Sequence, residues 1–110
     1  MKTEKRRYLL VESTADLDMR EGGSFAHDFL KELLHNIGEV NYHSANPRIM
    51  KYMGGNRFVL RCNLERYRDT LIALTFMKRV GGIETGFYTL NASGTIRALG
   101  REKEGNKPKG

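Results

Sequence analysis

At 110 residues the chain has the length of one domain, with room for one modest core. Hydrophobic residues make up 39% and charged residues 29%, the balance of a water-soluble globular protein, and no apolar run approaches the ~20 residues that span a bilayer. Nineteen Lys and Arg against 13 Asp and Glu leave a net charge of +6, which favours a polyanionic partner, nucleic acid first, over mere solubility.

Met1 to Arg7 is charged and lacks a signal-peptide pattern, so the expected location is the cytoplasm. Residues 1–6 read as a basic arm ahead of one domain over 7–100. Tyr8 to Glu12 opens that domain as a strand. Residues 15 to 23 are polar and end in Gly22-Gly23, a loop, after which Ser24 is placed to cap a helix. Phe25, Phe29, Leu30, Leu33, Leu34 and Ile37 recur at helical spacing, with His27, Asp28, Lys31, Glu32 and His35 opposite, and Gly38 stops the helix. Arg48 to Met53 and Arg57 to Cys62 are strands joined by the hairpin signal Gly54-Gly55-Asn56. Asn63 then caps a second helix through about Val80, Gly81-Gly82 ends it, and Ile83 to Leu90 forms the last strand. The tail 101–110 has no apolar residue to pack and is expected to be disordered without a partner.

The resulting order, β-α-β-β-α-β, predicts an α+β fold: an RNA-recognition or ferredoxin-like sandwich, with a four-stranded antiparallel sheet and two helices on one face. In the strand Arg57 to Cys62, Phe58, Leu60 and Cys62 point under the helices, while Arg57, Val59 and Arg61 point to the opposite, open face. The second helix is apolar on two sides. Leu64, Tyr67, Leu71 and Leu74 make one stripe; Ile72, Phe76 and Val80 make another, which is assigned to a protein partner.

Catalytic and metal signals are weak. His27, His35 and His43 lack close helical pairing, and the single cysteine, Cys62, excludes a cysteine-based zinc cluster and an intrachain disulfide. Asp16-Leu17-Asp18 lacks the glycine and glutamate of a calcium loop and reads as solvated. Cys62 alternates with Phe58 and Leu60, so packing outweighs nucleophilic chemistry. Gly54-Gly55-Asn56-Arg57 has no downstream Gly-Lys-Ser/Thr and reads as a plain turn. No catalytic residue, metal site or bound cofactor is therefore assigned to this chain.

Nucleic-acid signals are stronger. Asn56 to Arg61 stands where RNA-recognition domains keep their stacking motif, yet its glycine and outward aromatics are absent. Arginine contacts to phosphate and RNA shape are the expectation instead, with Tyr8, Tyr52 and Tyr88 either stacking platforms or core-edge residues. Ser93-Gly94-Thr95-Ile96-Arg97-Ala98 offers backbone freedom, a hydroxyl and a guanidinium, as an anion pocket or as a helix start capped by Ser93 or Thr95. The candidate RNA contacts are Arg57, Arg61 and Arg97, assisted by Thr95, Lys5, Arg6 and Arg7.

Arg7-Tyr8-Leu9-Leu10-Val11-Glu12, Phe58-Val59-Leu60-Arg61-Cys62, and Leu90 followed by Ser93-Gly94-Thr95-Ile96-Arg97 resemble three segments of the Pop-five/Rpp-fourteen family, ribonuclease P protein component 2, in the family's order and spacing. The likeness covers roughly residues 7 to 98, and the short chain looks archaeal. What it implies is a non-catalytic protein subunit of ribonuclease P, which removes the 5′ leader of precursor tRNA. The implied RNA subunit carries the chemistry with magnesium ions. The implied partners are that RNA, the barrel-like protein component 3, further ribonuclease P proteins, and a second copy within a heterotetramer. Two other readings fit the residues: another RNA-binding accessory or ribosomal-type module, and a ferredoxin-like domain that senses a small ligand.

Overall fold

Strand β1 (Arg6–Ser13) is central because it is paired on both sides, with β3 (Arg57–Asn63) and with β6 (Phe87–Ser93), both antiparallel. The computed structural model describes residues 5–99. Its main sheet is completed by β2 (Arg48–Gly54) on the far side of β3, giving the order β2-β3-β1-β6. With helices between β1 and β2 and between β3 and β6, this is the split arrangement expected from the sequence. The predicted tail at 101–110 lies outside the described residues, and Arg6, assigned to the arm, is the first residue of β1.

Helix α1 (Phe25–Ile37) spans the predicted residues and buries Phe25, Phe29, Leu33 and Ile37 against Leu9, Val11, Phe58 and Leu60 of the sheet. Phe29 meets Phe58 at 5.0 Å and Phe87 at 5.3 Å between centroids, both edge to face. Each such buried ring contributes about 1.5–3 kcal/mol by burial, and the pair geometry adds about 0.5–1.5 kcal/mol. Ser24 does not cap this helix with its hydroxyl. Its backbone is already helical (φ −95°, ψ −2°), and only its carbonyl accepts, from Asp28 N–H at 3.0 Å.

Further features depart from the sequence reading. A short helix, α2 (Glu39–Ala45), follows Gly38; of its seven residues only Ala45 is buried, so it carries no apolar stripe to read. It ends at Asn46 in the left-handed region (φ 47°), just before Pro47. Next, Asn63 does not cap the following helix. Its side-chain amide donates to Ser44 O at 2.8 Å, tying α2 to the end of β3, and a 3-10 turn (Leu64–Arg66) precedes α3 (Tyr67–Phe76).

Finally, α3 stops at Phe76, four residues before the predicted end. Met77 is extended and buried, and its N–H is shared by the Ala73 and Leu74 carbonyls. Gly81-Gly82 therefore ends no helix. It turns a small hairpin, β4 (Arg79–Val80) and β5 (Ile83–Glu84), with both glycines at positive φ (58° and 83°). The last long strand starts at Phe87 rather than Ile83. Val80 is 3% exposed and belongs to the core.

The face of the sheet away from α1 and α3 is also not open. After β6 the chain turns at Gly94 and enters a helical turn at residues 96–99. Thr95 caps it, its Oγ1 accepting from Ala98 N–H at 3.0 Å. The turn lays Leu99 onto Leu10 and Val59, all three at 3% exposure or less, with Tyr8 and Ile96 flanking them.

Candidate nucleic-acid interface

The strand pairings arrange this outer face in three rows. One row reads Gly54, Arg57, Glu12, Tyr88 across β2, β3, β1 and β6. The middle row reads Lys51, Val59, Leu10, Asn91, and its centre lies under Leu99. The third reads Arg48, Arg61, Tyr8, Ser93. The closing turn therefore divides two exposed zones of different charge.

In the first zone Arg57 is partly neutralised: its Nε stands 3.5 Å from Glu12 Oε1 across the β1–β3 pairing. Tyr88, 48% exposed, is beside this pair on the edge strand. Arg57 is thus separated from Arg61 by the covered row and carries little uncompensated charge toward a polyanion.

The second zone is cationic. Arg48 is exposed and stands directly opposite the half-buried Arg61, with Tyr8 on the other side of Arg61. Like charges directly opposite in an antiparallel pair are destabilising. Neither arginine has an ion-pair partner among the described residues. Lys51 adds a further exposed charge at the end of the middle row. Arg6 continues the face at the start of β1, beside the exposed Lys5.

Arg48 and Lys51 escape a reading of the sequence because the register between β2 and β3 shifts between Ile49 and Lys51. The extra residue at Met50 breaks the alternation, so two cations three apart in sequence come to one face. Knowing that a bulge sat there was the missing signal.

The remaining predicted residues scatter. Arg7 lies on the helix side of β1, its guanidinium 5.6 Å from the Tyr67 ring centroid. Thr95 is a cap first, and Arg97 is exposed on the turn it caps. Ile72 and Phe76 stand out from α3 at 55% and 62% exposure, whereas Val80 packs inside and offers nothing to a partner alongside them. Cys62 is fully buried, and burial pushes its thiol above the ordinary 9.0 despite opposing effects of Thr70 and Arg7. Among the described residues no three His, Cys, Asp or Glu converge to hold a metal ion, and no helix is long and apolar enough to cross a membrane.

Comparison with known proteins finds relatives for the chain as a whole. Residues 7–103 match the model of the Rpp14/Pop5 family. Ribonuclease P protein component 2 of Archaeoglobus fulgidus is 29% identical over 98 residues, covering 89% of this chain and 87% of that protein. Ribonuclease P protein component 2 of Methanosarcina acetivorans is 26% identical over 97 residues, covering 84% of this chain and 69% of that protein.

Proposed function

The chain belongs to the Rpp14/Pop5 family, and from that premise we propose how it serves as an RNA-binding protein subunit of ribonuclease P. The observation that carries the mechanism is the cationic zone in which Arg48 faces Arg61 with Lys51 nearby, neither arginine having an ion-pair partner among the described residues; Lys5 and Arg6 continue its charge. Folding a large RNA crowds phosphates together. Cations fixed on a rigid sheet neutralise them without the cost of condensing free ions, so the folded RNA requires less magnesium.

In this reading the complex removes the 5′ leader of precursor tRNA by hydrolysing one phosphodiester bond. The RNA subunit performs that step with its magnesium ions. This chain contributes no reacting group; it binds and shapes the RNA. Its setting is the cytoplasm.

Protein contacts fall to the other side of the molecule. Ile72 and Phe76 on α3 are large, apolar and exposed, and they point away from the cationic zone. Protein component 3, a barrel-like subunit, is the proposed occupant of that face, with two such pairs joining into a heterotetramer. An RNA on one side and a protein on the other would hold the subunit as a bridge.

Reconstitution tests the proposal. The RNA subunit, component 3 and this chain are combined, and leader removal is followed against magnesium concentration. Adding this chain is expected to lower the magnesium required, and an Arg48→Ala/Arg61→Ala double variant to raise it again. Activity indifferent to the presence of this chain would refute the proposed role.

A further inference from the structure

We infer that the groove where β1 begins and β3 and β6 end is a pocket for one unstacked nucleotide of single-stranded or looped RNA; the inference rests on RNA binding as proposed above. The groove has a volume of about 500 Å³ and is lined by Lys5, Arg6, Arg7, Tyr8, Leu64 and Gly94. That lies within the range of pockets that enclose small ligands, about 300–1,000 Å³.

Its chemistry has two halves. Three successive cations supply one. Because strand residues alternate, Arg6 and Arg7 reach the groove from opposite faces of β1. The Arg7 guanidinium is steadied by the Tyr67 ring and makes no hydrogen bond or ion pair with any described residue. A half-buried, pre-positioned fork of donors without an acceptor suits a phosphate oxygen pair. The Tyr8 ring and the 38%-exposed Leu64 supply an apolar wall for a base or ribose. The two sides are joined by the Leu64 N–H donating to Lys5 O at 2.8 Å.

Gly94 is the residue that keeps the groove open. Its φ is not in the left-handed region, so the backbone does not demand glycine there. A Cβ at this position would meet only Arg7 Nη1, at 3.9 Å. Any larger side chain would therefore grow over the guanidinium.

The shape selects between RNA forms. A duplex presents phosphates on a convex cylinder, within reach of the exposed Arg48 and Lys51 but not of a guanidinium held against Tyr67 at a strand end. A splayed nucleotide brings phosphate and ring together, matching cations beside Tyr8 and Leu64.

The test uses fluorescence anisotropy with two probes, a short uridine oligomer and an RNA duplex of the same length. Gly94→Leu fills the groove without changing charge. It is expected to weaken the oligomer about tenfold, as loss of one stacked and paired nucleotide would, while duplex affinity stays within about twofold. Arg7→Met is expected to lower the salt slope for the oligomer by about 0.7, the share of one phosphate on a single strand. Should Gly94→Leu lower the melting temperature, Arg7→Lys replaces it. That variant keeps the charge but loses the fork, and a several-fold loss confined to the oligomer supports the pocket. Unchanged oligomer binding in a folded Gly94→Leu, or equal losses for oligomer and duplex, overturns it. Failure of the broader RNA reading looks different: the wild-type protein would then bind neither probe.

Discussion

Replacing Arg48 by threonine separates what the cationic zone does to the free protein from what it does to RNA. Arg48 is exposed on an edge strand, so its truncation removes little packing, and threonine suits a strand. In the free protein the change relieves repulsion from Arg61 directly opposite. Cross-strand pairs of this kind are worth roughly 0.2–1 kcal/mol, so the variant is expected to be more stable by that amount. For a domain of this size each kcal/mol moves the melting temperature by roughly 4–8 °C. The gain is electrostatic and should vanish toward 1 M salt, where the screening length falls to about 3 Å. RNA affinity should move the other way. One lost phosphate contact on a duplex removes about 0.9 from the salt slope, so the wild-type advantage shrinks about 3.5-fold between 50 and 200 mM salt. Calorimetry and anisotropy on the same preparation give both numbers. A less stable Arg48→Thr variant with an unchanged salt slope would show that this pair is ordinary surface, and the reasoning would fail.

Three further outcomes follow from the fold. Gly81→Ala, at φ 58°, should cost about the 1–2 kcal/mol of a left-handed non-glycine residue, because its Cβ, 2.9 Å from Asp28 Oδ2, displaces only the tip of a side chain that can rotate away. Gly82→Ala, with φ 83° and nothing within 4 Å, should cost a similar amount in urea melts; a much larger cost at Gly81 would show that Asp28 does not yield. Thr95→Ala should cost about 1 kcal/mol of local stability, read as lost amide protection at Ala98 and Leu99, and Thr95→Asp should restore it. Cys62, with its thiol raised by burial, favours the neutral form in the folded state. Its contribution is complete below the ordinary value of 9.0 and is lost as pH rises beyond it, so the stability gap between wild type and Cys62→Ala should narrow above that pH. Rapid labelling of Cys62 in native buffer, without unfolding, would contradict its burial.

What the sequence made legible depended on pattern length. The thirteen residues of α1 repeat their apolar positions over several turns, and the two-residue period of a strand assigns the β3 side chains to two faces, so the buried face of α1, the faces of β3 and the order of elements could be read directly. Alternation also separated Phe58, Leu60 and Cys62 from Arg57, Val59 and Arg61 correctly. It could not say what would cover Val59. The buried partner is Leu99, forty residues on, and alternation within one strand carries no information about so distant a segment. Glycine pairs were ambiguous for a different reason. Gly81-Gly82 supports a helix stop or a two-residue hairpin equally well, and only the burial of Met77 and Val80 decides between them.

The same cause explains why the candidate interface moved. A functional row on a sheet is a property of register, and register is where one bulge redistributes every neighbour. The shift at Met50 brings Arg48 opposite Arg61, while the Glu12–Arg57 pair and the Leu99 cover remove Arg57 from the same surface. Arginines on the same face of one strand thus acquire different roles, one paired with a carboxylate and one facing a like charge. The second arrangement has a standing cost in the free protein that a bound polyanion would offset, and for that reason the proposed RNA contact rests on the zone around Arg48 and Arg61 rather than on the total charge of +6.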